Sequence, residues 1–284
     1  MKVLITGSSG QLGQCIKEIS LNETDLEFVF VSRNELDITK QSDVKIFFDK
    51  NKFDFVINCA AYTAVDKAES DIENARLVNV LATKYLAQAT AKQNIPFIHI
   101  STDYVFDGTI SKPRTEIDEV NPINVYGETK LEGEELALEI NPQTIIIRTS
   151  WVYSKYGNNF VKTMLRLFQE KDEINVINDQ IGSPTLAIDL AEALIKIITS
   201  KKLSFGIFNY SNEGSCSWFE FASKIKEYSD SKIRIHPIST NAYPTPAKRP
   251  NFSLLDKTKI KSAYEIEIPK WDDSLRIMLN SFKM

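Results

Sequence analysis

Short, continuous apolar runs alternate along this chain with longer stretches of amphipathic pattern, and few architectures accommodate that rhythm. The runs are Val3–Thr6, Glu27–Val31, Asp54–Asn58, Pro96–Ser101, Thr144–Thr149 and Gly206–Tyr210. Between them lie helix-patterned stretches such as Val44–Asp49, Ile72–Lys92, Val125–Glu139 and Asn158–Gln169. Strands that are apolar on both faces suit a sheet covered on both sides. The expected fold is therefore α/β, a doubly wound parallel sheet with ligands beyond the carboxyl ends of its strands. After about residue 150 the rhythm loosens into loops rich in Gly, Pro, Asn and Asp, at Asn178–Thr185 and Tyr243–Asn251. Residues 1–150 are read as a dinucleotide-binding domain, with 206–210 returning to the sheet. Residues 151–284 then form a smaller, discontinuous lobe for substrate.

Composition narrows the class. A 284-residue chain with 43% hydrophobic residues buries a substantial core. A formal net charge of -4 with no long basic run argues against nucleic-acid partners. Cys15, Cys59 and Cys216 are widely separated and read as reduced, packed thiols. No apolar run approaches membrane-spanning length, and strand-like residues begin at Lys2. The expectation is a cytoplasmic protein facing small metabolites.

The first strand runs into Gly7-Ser8-Ser9-Gly10-Gln11-Leu12-Gly13, a G-x-x-G-x-x-G turn feeding a helix. Glycines let the backbone turn tightly and approach a pyrophosphate, and the helix start offers unpaired N–H groups to it. The expected sheet is Rossmann-like on this ground. The second strand ends in Val31-Ser32-Arg33, with no carboxylate where an NAD-selective site carries one. A hydroxyl and a guanidinium at Ser32 and Arg33 suit the extra phosphate of NADP(H). NADPH is the favoured coenzyme and NADH the alternative.

Two further features carry chemistry. The fourth strand leads into Ser101-Thr102-Asp103-Tyr104-Val105-Phe106, placing the Thr102 hydroxyl where a substrate should lie. Tyr126 and Lys130 are four apart in a helical stretch and share one face. A free phenol has a pKa of about 10, and a neighbouring ammonium stabilises its phenolate, lowering that value and easing proton exchange.

The glycine turn, Thr102 and the Tyr126/Lys130 pair resemble an extended short-chain dehydrogenase/reductase. Longer strings are similar to the dTDP-4-dehydrorhamnose reductase family: residues 58–69 (NCAAYTAVDKAE), 101–106, 148–153 (RTSWVY), 178–185 (NDQIGSPT) and 243–250 (YPTPAKRP). The likeness spans nearly the whole chain. It implies NADPH-dependent reduction of the C4 keto group of dTDP-4-dehydro-L-rhamnose, a step toward surface polysaccharide. By the same resemblance Tyr126 is the proton donor, Lys130 its electrostatic partner and ribose anchor, and Thr102 a hydrogen-bond donor to the sugar carbonyl. Gly10, Gln11 and Leu12 would meet the pyrophosphate, Asp37 and Ile38 the adenine side, and Ala61, Tyr62 and Thr63 the middle of the coenzyme. Asp103 and Tyr104 would line the substrate site, with Trp151 against the sugar and Arg249 toward the diphosphate.

Plainer readings stand beside these. Trp151 is also what an ordinary core aromatic looks like, and Arg249 an exposed charge. Asn58 reads as fixing local backbone, Asp66 and Glu69 as a solvated helix start, and His99 and His236 as structural. Some family members hold magnesium between subunits through glutamates. Here the first-helix position is Cys15 or Gln14, and Leu186–Asp189 supplies one carboxylate, which argues against a metal-bridged dimer. The expected state is a monomer or weak homodimer with a nucleotide-sugar substrate. Two rival functions remain: another nucleotide-sugar ketoreductase or epimerase, and a non-catalytic subunit similar to the methionine adenosyltransferase beta subunit.

Overall fold

Each of the six apolar runs becomes a strand, and together they form one parallel sheet. The computed structural model describes residues 1–282. The strands are β1 (Lys2–Thr6), β2 (Glu27–Val31), β3 (Phe55–Asn58), β4 (Phe97–Thr102), β5 (Thr144–Thr149) and β6 (Gly206–Asn209). Their spatial order is β6-β5-β4-β3-β1-β2, every neighbour parallel. The chain leaves β1 for β2 on one side and then returns to place β3 on the other. That reversal opens a crevice beyond the carboxyl ends of β1 and β3, where α/β sheets bind ligands.

Side chains alternate between the two sheet faces with a period of two. Val3, Ile5, Ile57, Ile98, Ile145 and Ile147 enter one buried cluster. It is covered by α1 (Gln11–Ile19) and by a helix at Ala187–Ile198. Leu4, Val56, Phe97 and Ile146 enter the other, beneath α2 (Gln41–Lys50), α3 (Ala82–Gln93) and α4 (Val125–Ile140). Fully burying one such aliphatic side chain contributes about 1.5–3 kcal/mol. The second face carries a polar row as well. Thr6 pairs with Asn58, and Asn58 with His99, in strict register across β1, β3 and β4, all at 1% exposure or less.

One expected element is broken. The stretch read as a single helix, Ile72–Lys92, consists of Ile72–Arg76, a wide π-helical turn at Leu77–Leu81, and α3. The wide turn places Asn79 inward, fully buried, and π turns of this kind recur at functional sites. A Cβ on Gly133 of α4 would come within 2.3 Å of the Asn79 carbonyl, so glycine is what lets the two segments touch.

Beyond residue 150 a third cluster forms from Val161 and Met164, from Phe221 and Ile225, and from Leu275 and Met278. These lie on helices Phe160–Glu170, Trp218–Tyr228 and Trp271–Ser281. A parallel pair, Glu173–Ile177 with Arg234–Ile238, lies alongside. Ser217 and Glu220 close a reciprocal capping box on the helix at Trp218.

Candidate active site

The glycine turn is built for close approach. Gly7 has φ +66°, and a Cβ there would lie 2.5 Å from the Ala60 nitrogen. One on Gly13 would sit 2.6 Å from the Gly7 carbonyl oxygen. Gly10 caps α1 with no side-chain hydrogen bond and no acidic residue in the first turn. The free N–H groups and positive end of the helix dipole therefore suit an anion. Beside them lies a cleft of about 240 Å³ bordered by Gly7, Gly10, Ser32, Arg33, Asp37 and Ala61. Ile38 also borders it. This set fits a dinucleotide.

Several side chains expected along the coenzyme are engaged by the protein itself. Leu12 is buried in the core, and the Gln11 amide is engaged by Ser154, Asn159 and the Val152 carbonyl. The Tyr62 hydroxyl donates to Asp71 at 2.9 Å, while Asn79 clasps the Tyr62 backbone from both sides. Thr63 is exposed. Asp37 accepts from Thr39, which with burial opposing and Arg33 and Lys40 assisting holds its carboxyl below the usual range.

The end of β2 departs from expectation. No carboxylate stands in the strand, but Glu35 folds back through a tight turn and accepts from both the Ser32 N–H (2.7 Å) and the Ser32 hydroxyl. Those bonds hold the Glu35 carboxyl below its usual range. An acidic group therefore does stand at Ser32, contrary to the sequence reading.

At the carboxyl end of β4, Thr102 is 4% exposed; its hydroxyl donates to Asp103 and accepts from the Tyr104 N–H, both at 3.1 Å. Burial pushes the Asp103 carboxyl up to about 7, against hydrogen bonds from Ser253 and Thr102. Tyr126 stands half-buried in the first turn of α4, its ring edge-on to Tyr104 at 5.8 Å. Asn124 caps that helix through the Gly127 N–H and donates to the Lys248 carbonyl. A Cβ on Gly127 would lie 2.3 Å from the Tyr104 carbonyl, so glycine is what brings α4 this close to the turn that follows β4. Thr102, Asp103, Tyr104 and Tyr126 thus converge.

Lys130 shares their helix but not the expected contact. It is 1% exposed, and Nζ donates to the Ile100 carbonyl at 2.7 Å and lies 3.1 Å from His99 Nε2. Burial pushes the amine down to about 8. The Tyr126 phenol is pushed up, to about 12, by burial and by Asp103, with only the Thr102 hydroxyl opposing. The lowering expected from four-residue spacing is absent, because the lysine head turns inward to β4.

Trp151 takes φ +47° and stacks on Trp218 with centroids 3.5 Å apart and planes 11° from parallel. Its indole leaves no room for a side chain at Gly182, beside the Ser253 hydroxyl. Arg249 is gripped by Asp66 in a two-point pair at 3.0 and 2.7 Å and also meets Thr245 and the Ala247 carbonyl. Asp66 does stand in the first turn of a short helix, Val65–Ala68, with its side chain 41% exposed, but it is also the partner of Arg249; Glu69 accepts from the Val125 N–H at the head of α4. His236 forms a surface pair with Glu173. Asp189 is taken up by Asn212 and Ser274. Among the described residues no group of three or more His, Cys, Asp or Glu side chains is placed to hold a metal, and no helix is long and apolar enough to cross a membrane. Sequence reasoning missed Asn79, Glu35, Trp218 and Ser253; only Asn79, a polar residue inside an apolar helical stretch, carried a local signal.

A parallel sheet with an uncapped glycine turn, and hydroxyls from β4 and α4 meeting beside it, defines a short-chain dehydrogenase/reductase. The profile of the RmlD substrate binding domain family matches residues 1–284. The chain belongs to that family, the dTDP-4-dehydrorhamnose reductases. It is 42% identical to a dTDP-4-dehydrorhamnose reductase of Aggregatibacter actinomycetemcomitans over 97% of both chains. The crystal structure of a Clostridium acetobutylicum dTDP-4-dehydrorhamnose reductase matches with TM-score 0.96 and 41% identity, covering 100% of both chains. A Bacillus anthracis dTDP-4-dehydrorhamnose reductase solved in complex with NADP matches with TM-score 0.94 and 38% identity, covering 99% of each.

Proposed function

We propose that this protein reduces the C4 keto group of dTDP-4-dehydro-L-rhamnose with NADPH, giving dTDP-L-rhamnose for polysaccharide synthesis. The observation that carries the reading is that Thr102, at the carboxyl end of β4, and Tyr126, in the first turn of α4, are brought to one place by the close packing of Gly127 on Tyr104, whose ring meets that of Tyr126. When bound, NADPH supplies the hydride. Backbone N–H groups of Gly10, Gln11 and Leu12 would hold its pyrophosphate, with Ser32, Arg33, Asp37 and Ile38 on the adenosine side and Ala61, Tyr62 and Thr63 along its middle.

Thr102 and Tyr126 then bind the sugar carbonyl oxygen. Their hydrogen bonds strengthen as negative charge develops on that oxygen, which is where preorganised donors gain most. Tyr126 passes its phenolic proton to the forming alkoxide and is left as the phenolate. Asp103, Tyr104 and Trp151 shape the sugar pocket, and Arg249 stands at its edge toward the diphosphate. The nucleotide handle contributes binding energy remote from the reacting carbon. Residues 151–284, apart from 206–210, form the lobe that receives it. The protein works in the cytoplasm as a monomer or weak homodimer.

The test mixes purified protein with dTDP-4-dehydro-L-rhamnose and NADPH, following absorbance and identifying the product by NMR. Stoichiometric loss of NADPH with formation of dTDP-L-rhamnose is expected. Conversion without net coenzyme consumption would indicate an epimerase instead, and nucleotide binding with no turnover of any keto sugar a binding-only subunit.

A further inference from the structure

The sequence marks His99 as structural, yet it occupies the centre of a hydrogen-bond line that ends on Lys130. The line starts from a group whose role is unambiguous. The Ala60 backbone N–H donates to Asn58 Oδ1 at 3.1 Å, and the Thr6 hydroxyl donates to the same oxygen at 2.6 Å. That fixes the orientation of the Asn58 amide, so its Nδ2 is the donor to His99 Nδ1, 3.0 Å away. A neutral imidazole has one bare nitrogen and one N–H. With Nδ1 accepting, the proton sits on Nε2, which faces Lys130 Nζ at 3.1 Å.

An ammonium has three donors and no lone pair, whereas a neutral amine can accept one bond. An N–H aimed at an ammonium is a buried donor–donor clash. With an amine, every link from Ala60 to the Ile100 carbonyl is satisfied, since Nζ accepts from His99 and donates to Ile100 at 2.7 Å. A doubly protonated His99 would clash with Asn58 as well.

We propose that His99, oriented by Asn58, is a positioning residue that favours the uncharged amine form of Lys130. The surroundings agree. Glu134, one turn further along α4, is the carboxylate that favours a charged Lys130, but it is occupied by Arg148 of β5 through bonds of 2.7–3.1 Å. From β1 and β3 the line presents only Thr6 and Asn58, both uncharged; Tyr126 lies one turn back, and Asp103 follows β4. Burial lowers the proton affinity of both partners, the direction that a neutral pair requires. While Lys130 is the amine, the phenol of Tyr126 lacks a cationic neighbour. Its activation waits until Lys130 gains a proton, a consequence that rests on the reduction proposed above.

The sequence has two histidines, so nitrogen-15 NMR of histidine-labelled, ligand-free protein reads the bond directly, with His236→Asn assigning the signals. The expected spectrum has the His99 proton on Nε2, Nδ1 bare, and no second protonation at neutral pH. A proton on Nδ1, or a doubly protonated His99, overturns the proposal. A second readout is the pH dependence of kcat/KM for NADPH, which reports ionisations of the free protein. Losing a bond made only to the neutral amine raises its pKa, so His99→Leu should move the alkaline limb upward by about one pH unit. His99→Gln, which keeps an oxygen for Asn58 and an N–H for Nζ, should leave the limb near its original place. An unmoved limb in a folded His99→Leu variant refutes the idea, and the spectrum of the unsubstituted protein decides it if that variant fails to fold. The expected tautomer without any NADPH-dependent reduction would leave this inference intact and remove the proposed reaction.

Discussion

Arg148 and Glu134 are locked together between β5 and α4, the closest approach 2.7 Å, with their side chains 2% and 1% exposed. The pair ties the helix carrying Tyr126 and Lys130 to the sheet carrying Thr102. Arg148 also lies 5.2 Å over the ring of Phe106, in the segment that follows Thr102.

Removing one partner leaves the other charge buried and unpaired, which typically costs about 3–5 kcal/mol. Glu134→Ala should lower the urea-unfolding free energy by about that amount. Replacing both residues with apolar side chains of similar volume should cost clearly less. Equal losses in the single and double variants would mean that the pair is not what is being measured.

Tyr126→Phe removes the transferable proton while keeping the ring against Tyr104. General acid catalysis of this kind contributes about 10²–10⁴-fold, so kcat should fall within or beyond that range. NADPH affinity, measured by fluorescence titration, should change little. Full activity in this variant would remove Tyr126 from its role.

Asp103 makes stability depend on pH. Its folded carboxyl is raised to about 7 from 3.8, so between those values the folded protein holds a proton that the unfolded chain has lost. Stability therefore declines as pH rises from about 4 to about 7 and is level with respect to this group above that. Three units correspond to at most roughly 4 kcal/mol. Asp103→Asn should unfold at nearly the same temperature as the parent near pH 4, with its advantage growing up to pH 7. A constant difference across that range would contradict the raised carboxyl.

Glu35 bears on coenzyme choice. Its carboxylate occupies the Ser32 backbone N–H and the Ser32 hydroxyl, the latter one of the two groups expected to meet the extra phosphate of NADPH. Glu35→Gln removes a like charge from that spot, so the Kd for NADPH should fall several-fold while that for NADH stays put. Salt screens such exposed charges, so the gain should shrink at high ionic strength. Equal changes for both coenzymes would place Glu35 outside the discrimination.

The six sheet strands and the glycine turn were readable because near neighbours set them. A β-branched, two-faced apolar run has few other ways to satisfy its backbone, and Gly7, at φ +66°, announces a conformation other residues avoid. The Tyr126/Lys130 helix was equally legible, since a period of 3.6 places residues four apart on one face whatever the surroundings.

What four-residue spacing does not convey is where a long side chain ends. Lys130 turns to His99, 31 positions earlier, and Arg249 to Asp66, 183 positions away. Thr6, Asn58 and His99 form a row only because β1, β3 and β4 pair in one particular register. Local pattern thus establishes the elements and the chemistry they carry. Strand register and the close packing of α4 on β4 choose among hydrogen-bond partners, and so assign which buried group holds a proton, because a bond between distant residues forms only after the fold has brought them together.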